Sequence, residues 1–479
     1  MIYIQLNEDN FEYDIYSLVK AFYPKEEVKI STEPVPKDAG LLFSMQVNYS
    51  DNVLTLDGKE IEIDYSNRPD TKNRLKLAIY ESLHERSGKD LPWGTLTGIR
   101  PTKISLGMIE DGASDDEIRQ YMHDTYLTSD EKIDLSLQVS HKEHELLSKI
   151  DYDNGYSVYI GIPFCPSTCL YCSFTSYPIG LWKKKLDDYI DALEKEMAFT
   201  AEACKGKSLT TIYIGGGTPT SLDEEHLERL LCLVDKYFNT KDLLEYTIEA
   251  GRPDSITYEK LQVMKNHPVT RISINPQTMN QKTLDLIGRF HKVEDIYRVF
   301  GWARELGFTN INMDLILGLP GETIEDVAYT LSEVKKLSPD NLTVHSLALK
   351  HSARLNYDHE AYEDYLIENS QKHMDICLEA AREMNMAPYY LYRQKNMAAN
   401  LENIGYSTPG NEGLYNILIM EEKQTIMALG CGTACKFVAD HGATVTRCEN
   451  VKDVQLYMDR IDEMIERKRE RLREDLKWL

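Results

Sequence analysis

The chain has 479 residues, of which 42% are apolar and 28% charged, and it carries a net charge of −24. That length points to two or three domains, each with its own core, and that balance to a folded protein rather than a disordered one. Such acidity argues against a broad nucleic-acid surface, which needs clustered Lys and Arg, but it leaves room for a small basic pocket.

No apolar run approaches the ~20 residues of a membrane-spanning helix. Residues Met1 to Glu8 lack the basic start and long apolar core of a secretory signal. Nine cysteines is an odd count, and Cys204, Cys232, Cys377 and Cys448 stand alone. That pattern fits a reducing cytoplasm better than a disulfide framework.

The first 150 residues read as an α+β domain with no role assigned. Phe43, Met45, Val47 and Tyr49 alternate with polar residues as a half-buried strand does. Turn signals at Asp51-Asn52 and Asp57-Gly58 separate it from runs at 53–56 and 61–65, predicting a three-stranded meander. Leu75, Ile79 and Leu83 then mark one face of a helix that Gly88 can end. Capping boxes, Ser114 with Glu117 and Thr128 with Glu131, open two more helices. Asp153-Asn154-Gly155 marks a domain boundary.

From residue 155 to 350 short apolar runs alternate with helical stretches. The runs fall at 158–162, 211–214, 246–248, 271–274, 311–315 and 342–345, and Ser221 with Glu224 caps one of the helices between them. Six strands separated by helices imply a parallel sheet, because parallel neighbours need a long crossover. A partial (β/α)6 barrel fits that count, and an open doubly wound sheet is the competing architecture. Residues 351–479 read as a mainly helical domain covering the substrate. A helix from about Tyr362 to Met384 precedes an irregular stretch rich in Tyr, Asn and Gly. A charged helix closes the chain, and its run Glu466–Arg471 reads as a solvated face laced with (i, i+4) pairs.

Just after the first barrel strand, Cys165, Cys169 and Cys172 fall within eight residues. Thiolates so close together favour an iron–sulfur cluster or zinc. Three ligands on one cubane leave an iron open to chelate the amino and carboxylate groups of a methionine derivative. Zinc usually takes four ligands in paired spacings, and no second pair lies nearby. Gly215-Gly216-Gly217-Thr218 follows the second strand and lets backbone approach a ligand closely, or simply makes a tight turn. Glu249, Gln277 and Asp314 fall at or beyond the C-terminal ends of three further strands, the end at which (β/α) barrels gather their active sites.

The Cys-x3-Cys-x2-Cys spacing, with Tyr171 before the last cysteine, resembles the signature of radical S-adenosylmethionine (SAM) proteins. The resemblance implies one 4Fe–4S cluster on Cys165, Cys169 and Cys172, a partial (β/α)6 barrel, and SAM as cosubstrate. The reduced cluster of that family splits SAM into methionine and a 5′-deoxyadenosyl radical. Gly216, Gly217 and Thr218 would then belong to the glycine-rich SAM loop.

More narrowly, residues 157–350 resemble oxygen-independent coproporphyrinogen III oxidases. Tyr159, Tyr171, Glu249, Gln277, Arg289 and Asp314 match SAM contacts of that family, and Ala348 falls where backbone would meet adenine. Arg289 could pair with the SAM carboxylate and Asp314 with ribose hydroxyls. The implied reaction turns two propionates of coproporphyrinogen III into vinyl groups with loss of two CO2. Its implied partners are a tetrapyrrole and a reductant such as flavodoxin or ferredoxin, with neither nucleic acid nor a membrane span. Arg100, Lys103, Arg393 and Lys395 are candidate cations for the remaining propionates.

Two departures qualify the resemblance. Phe174 stands where well-studied decarboxylases carry a further cysteine, and phenylalanine is what the related haem-trafficking proteins show. The C-terminal His-Asn-x2-Tyr-Trp stretch of those proteins is absent as well. A haem carrier that retains the cluster is therefore the alternative to a decarboxylase. Cys431 and Cys435 read as core or loop thiols rather than a second cluster, and His345 and His351 have no assigned role.

Overall fold

The computed structural model describes residues 1–36, 40–348, 369–394 and 401–478. His351, Lys395 and the beginning of the helix expected from Tyr362 lie outside the described residues. The chain forms two compact units, one of residues 1–144 with 391–402 and the other of 145–390 with 403–479.

In the first unit, β1 (Ile2–Leu6), β2 (Val28–Ser31), β3 (Phe43–Ser50), β4 (Val53–Leu56) and β5 (Lys59–Glu62) form a sheet in the order β2-β1-β3-β4-β5. The antiparallel meander β3-β4-β5 matches the alternation and turn signals. Helix Arg68–Ser87 ends at Gly88, whose φ of 64° places it in the left-handed region that glycine adopts without penalty. Leu75, Ile79 and Leu83 of that helix pack with Ile15, Leu18 and Phe22 over the sheet.

The Ser114–Glu117 capping box forms as expected. The box assigned to Thr128 and Glu131 does not. Ser129 caps helix Asp130–Leu147 by accepting from the Lys132 amide at 3.4 Å, and the Thr128 hydroxyl is buried without a hydrogen-bond partner. Arg393 is no open propionate cation either: it is 4% exposed and donates to the Leu96 carbonyl at 2.6 Å.

The second unit carries an eleven-stranded sheet. It begins with β6 (Gly155–Ile162), followed by the two-residue pair β7 (Phe164–Cys165) and β8 (Tyr177–Pro178) in a separate ladder. Next come β9 (Ser208–Gly216), β10 (Glu245–Gly251), β11 (Arg271–Ile274), β12 (Ile311–Leu317) and β13 (Asn341–Ser346). Strands β6 and β9–β13 are neighbours in sequence order and all parallel. A doubly wound sheet reverses its strand order at a switch point. This one does not reverse, so the architecture is the partial (β/α)6 barrel.

The later part of the chain extends the same sheet. β14 (Ala387–Tyr392) and β15 (Asn403–Ser407) continue it beyond β13, and β16 (Thr425–Leu429), β17 (Ala434–Ala439) and β18 (Thr444–Glu449) continue it beyond β6. The described residues of the Tyr-, Asn- and Gly-rich stretch thus include two strands rather than irregular chain alone. Gly405 allows this, because a Cβ there would sit 1.9 Å from the Tyr390 ring. Among the described residues, α-helices Gln371–Glu383, Leu414–Glu421, Val454–Asp459 and Ile461–Arg471 supply the helical part of the segment.

Successive side chains of a strand point to opposite faces. Ile160, Ile212, Ile248, Ile272, Met313 and Val344 are buried, with 0% exposure. The residues between them are polar or aromatic, and several bond to one another. Thr211 donates to Ser157 at 2.8 Å and Thr343 to Asn312 at 2.9 Å across strands, and Asn312 donates to Asp314 at 2.7 Å along its own strand. One face of the sheet is therefore oily and the other is a hydrogen-bonded polar lining.

Candidate functional site

The cysteine loop leaves the C-terminal end of β6 and is held on several sides. From the glycine turn after β9, the Gly217 amide donates to the Ile162 carbonyl and the Thr218 amide to the Phe164 carbonyl, both at 2.8 Å. The Thr218 hydroxyl lies 3.5 Å from the Cys165 sulfur. Ser221, expected as a helix cap, instead donates to the Phe164 carbonyl at 3.1 Å, while Asp223 caps helix Glu224–Tyr237. Opposite, the Leu170 amide donates to the Ile287 carbonyl at 3.0 Å.

The glycines are fitted to this loop. Gly216 has φ +110°, and a Cβ on Gly217 would lie 2.6 Å from the Phe164 carbonyl oxygen and 2.9 Å from the Cys165 sulfur. A Cβ on Gly215 would meet the Glu249 carboxyl at 3.1 Å. Backbone therefore runs where any side chain would collide with the cysteine loop or with Glu249.

Arg252, the first residue past the end of β10, was not singled out in the sequence. Its guanidinium donates to the Ser167 carbonyl and hydroxyl at 2.9 Å each and to the Cys169 sulfur at 3.4 Å. Asp254 holds its other edge at 2.7 and 3.0 Å. The signal was present as Arg-x-Asp just after Glu249, in the loop that any barrel strand of this rim must enter. Burial opposes the charge on Arg252, but the bond to Asp254 and the neighbouring Cys169 outweigh it and hold its pKa above the ordinary value.

Burial pushes the Cys165 thiol up to about 11, against the Thr218 bond, so a thiolate here calls for a cation beside it.

The remaining rim residues converge on the polar lining. Gln277 adopts φ 67°, its amide donates to the Asp314 carbonyl at 2.9 Å, and its carbonyl accepts from the Ile316 amide at 3.0 Å. Arg289 is 4% exposed and donates to the Asn275 carbonyl. Burial again opposes its charge, while Tyr171 and Cys169 more than offset that and raise its pKa. Tyr171 packs on an apolar cluster of Leu170, Ile287, Ile316, Leu319 and Leu347. Ala348, half-buried, directly follows Leu347.

Deeper in the barrel Tyr159, Tyr213 and Tyr415 stack, with ring centroids 4.5–6.1 Å apart. Tyr213 donates to Glu249 at 2.5 Å. His345 lies 3.9 Å from Asp314. Burial tends to raise the Asp314 pKa, but His345 and Asn312 win and lower it.

Glu249 behaves in the opposite way. Burial pushes it up to about 7, with the Tyr213 bond opposing and the Asp314 carboxylate adding to the rise. The native state then binds a proton that the unfolded chain releases near 4.5. Stability should fall as pH rises from about 4.5 to about 7 and stay low above that window. Glu249→Gln is therefore expected to stabilise the SAM-free protein at pH 8 by on the order of 3 kcal/mol and to change little at pH 4.5. Urea unfolding at the two pH values checks this, and an equal effect at both would contradict it.

Among the described residues, Arg289 Nε, Asn275 Oδ1 and Gln277 Oε1 are buried without hydrogen-bond partners. One unpaired cationic donor and two unpaired acceptors beside a glycine-lined cysteine loop match the carboxylate, amino and hydroxyl groups of an amino-acid nucleoside. The donor set fits SAM and a cluster.

The site and fold define the class. A radical SAM superfamily model matches residues 159–334. Over 97% of its length the chain is 36% identical to the oxygen-independent coproporphyrinogen-III oxidase-like protein HemZ of Bacillus subtilis (strain 168), of which it covers 96%. The chain belongs to this HemN-like family of radical SAM proteins, which uses one 4Fe–4S cluster and SAM.

The chain is also 40% identical to the heme chaperone HemW of Bacillus subtilis (strain 168), over 40% of this chain and 51% of that protein. The solved structure of coproporphyrinogen III oxidase (HemN) from Escherichia coli is similar with a TM-score of 0.53 and 25% identity, covering 67% of this chain and 72% of that one. Among the described residues no helix is long and apolar enough to cross a membrane.

Proposed function

We propose that the protein oxidatively decarboxylates propionate side chains of coproporphyrinogen III, with its cluster on Cys165, Cys169 and Cys172. The observation that carries this is a HemN-like rim on a chain whose match to an oxidase-like relative runs nearly end to end. When bound, the reduced cluster and SAM supply hydrogen-atom abstraction from the propionate β-carbon. Each propionate then loses CO2 and one further electron to a one-electron acceptor, leaving a vinyl group.

This chain's own residues orient the parts. Arg289 offers its free Nε to the SAM carboxylate, and Gln277 and Asp314 accept from amino and ribose groups. Gly216, Gly217 and Thr218 bring backbone against the same ligand. Glu249 with Tyr159 and Tyr213 lines the barrel beneath it, Tyr171 braces Arg289, and the backbone at Ala348 borders the adenine.

The reconstituted, reduced protein given coproporphyrinogen III is expected to form vinyl product and 5′-deoxyadenosine in proportion. Vigorous SAM cleavage without any change in the tetrapyrrole would overturn the assignment.

One observation favours a second reading, a haem carrier that keeps its cluster without turnover. Phe174, in place of the extra cysteine, is 71% exposed beside the cysteine loop, and the barrel is similar to HemW. That reading expects stoichiometric haem binding without vinyl product, and only weak, nonspecific uptake in a haem titration would remove it.

A further inference from the structure

Outside the barrel, a second group of metal-ligating side chains gathers where helix Glu224–Tyr237 meets the turn after helix Tyr258–Lys265. Glu228, Cys232 and Asp235 follow one another at four- and three-residue steps, which places them on one face of the first helix. The opposite face, with Leu227, Leu230, Leu231 and Val234, is buried. His267 comes from the turn, and its side chain is only 7% exposed.

The ligand atoms of Glu228, Cys232 and His267 all lie within 4.8 Å of one another. The Cys232 sulfur is 3.5 Å from Glu228 Oε1, and His267 Nε2 is 3.5 Å from Glu228 Oε2. His267 Nδ1 is held by Asp235 at 2.6 Å, and Asp235 in turn accepts from Thr240 at 3.1 Å. That leaves Nε2, which is buried without a hydrogen-bond partner and sits within reach of the thiol and the carboxylate.

With Nδ1 held by the Asp235 carboxylate, the neutral ring carries its lone pair on Nε2, the arrangement that metal-bound histidines use. One nitrogen of His267 is bonded and the other is presented to a thiol and a carboxylate.

We propose that Glu228, Cys232 and His267, with Asp235 orienting the histidine, bind a divalent transition-metal cation of the zinc class. One sulfur, one imidazole nitrogen and one carboxylate oxygen suit a borderline-soft ion better than calcium or magnesium, which take oxygen ligands. Zinc bonds of about 2.0–2.3 Å require the three ligand atoms to close in by roughly an ångström. Glu228 and Cys232 are on the exposed side of their helix and free to swing. The fourth position is left for water, and the ion ties two successive βα units together on the face away from the cluster.

The test uses the anaerobically purified protein with its iron–sulfur cluster in place, equilibrated with zinc chloride and desalted. One zinc per chain should be retained in addition to the iron. Zinc X-ray absorption should show a single sulfur neighbour near 2.3 Å and the rest nitrogen or oxygen. Cys232→Ala, at an exposed position, should abolish retention while leaving the iron content unchanged. Asp235→Asn should weaken zinc binding by about 10–100-fold, as the loss of such an orienting carboxylate does. Zinc held equally well by Cys232→Ala, zinc with two or more sulfurs, or no zinc retained by the unsubstituted protein would each overturn the site.

Discussion

Gly217→Ala should leave the barrel folded and take away the cluster. The new methyl would lie 2.6 Å from the Phe164 carbonyl oxygen and 2.9 Å from the Cys165 sulfur, and neither neighbour is the free end of a flexible chain. Phe164 is 0% exposed and its carbonyl already accepts from the Thr218 amide and the Ser221 hydroxyl, so it cannot yield without breaking those bonds. Overpacking of this kind costs about 1–3 kcal/mol, too little to unfold a large sheet. It is ample to move a sulfur that must meet an iron. Iron and sulfide retained after anaerobic reconstitution should fall close to zero, and SAM cleavage with them, while the far-UV circular dichroism keeps its shape. Gly301→Ala serves as control, because nothing lies within 4 Å of that position and helix Val293–Glu305 should gain about 0.5–1 kcal/mol from the change. A full complement of iron in Gly217→Ala would show that the cysteine loop is not pinned where these distances place it.

The cysteines and the strands were legible in the sequence because both are local signals. Three thiols within eight residues need no tertiary information, and the six apolar runs coincide with six parallel strands. The polar lining was hidden in those same runs. Tyr159, Thr211, Glu249, Ser273 and Asp314 interrupt the aliphatic residues one at a time, so a search for apolar stretches registers each strand without separating its two faces. Capping is ambiguous in the sequence where several candidate residues stand together. Asp223 out-competed Ser221 because Ser221 was already engaged with the Phe164 carbonyl, a partner 57 residues away. Arg252 escaped notice for the same reason, since its ligands Ser167 and Cys169 lie more than 80 positions earlier. The extra strands β14–β18 depend on pairing to strands far back in the chain, which composition does not reveal.

The charged run near the C-terminus is the plainest departure from expectation, and it leads to the largest stability effect. Glu466–Arg471 reads as a solvated face, yet Lys468 within it is 0% exposed and paired with Glu196, which is also 0% exposed. Its ammonium has a second acceptor in the Ala428 carbonyl at 2.6 Å. Glu196 is richer in partners, accepting from the Gly430 amide at 2.7 Å, Asn450 at 2.9 Å and Tyr457 at 2.5 Å. Removing one member of a buried pair strands the other, at about 3–5 kcal/mol. The two halves should not cost the same. Lys468→Met leaves a carboxylate that still has three neutral donors, whereas Glu196→Gln leaves an ammonium facing one carbonyl and an amide. Glu196→Gln should therefore sit at the upper end of that range and Lys468→Met at the lower, by urea unfolding at neutral pH. The loss should also reach the cluster. Gly430 abuts the Gly161 carbonyl so closely that a Cβ would lie 2.4 Å from it, and Tyr189 links that same carbonyl, at 2.7 Å, to the Cys431 amide at 3.1 Å. Gly161 stands four residues before Cys165 in the sequence, so loosening Gly430 loosens the base of the cysteine loop. Glu196→Gln should accordingly release iron to a chelator faster than the unsubstituted protein, with Lys468→Met between them. Both variants falling within 1 kcal/mol of the parent, or cluster release unaltered in Glu196→Gln, would refute this coupling and leave the pair a local feature of the C-terminal helix.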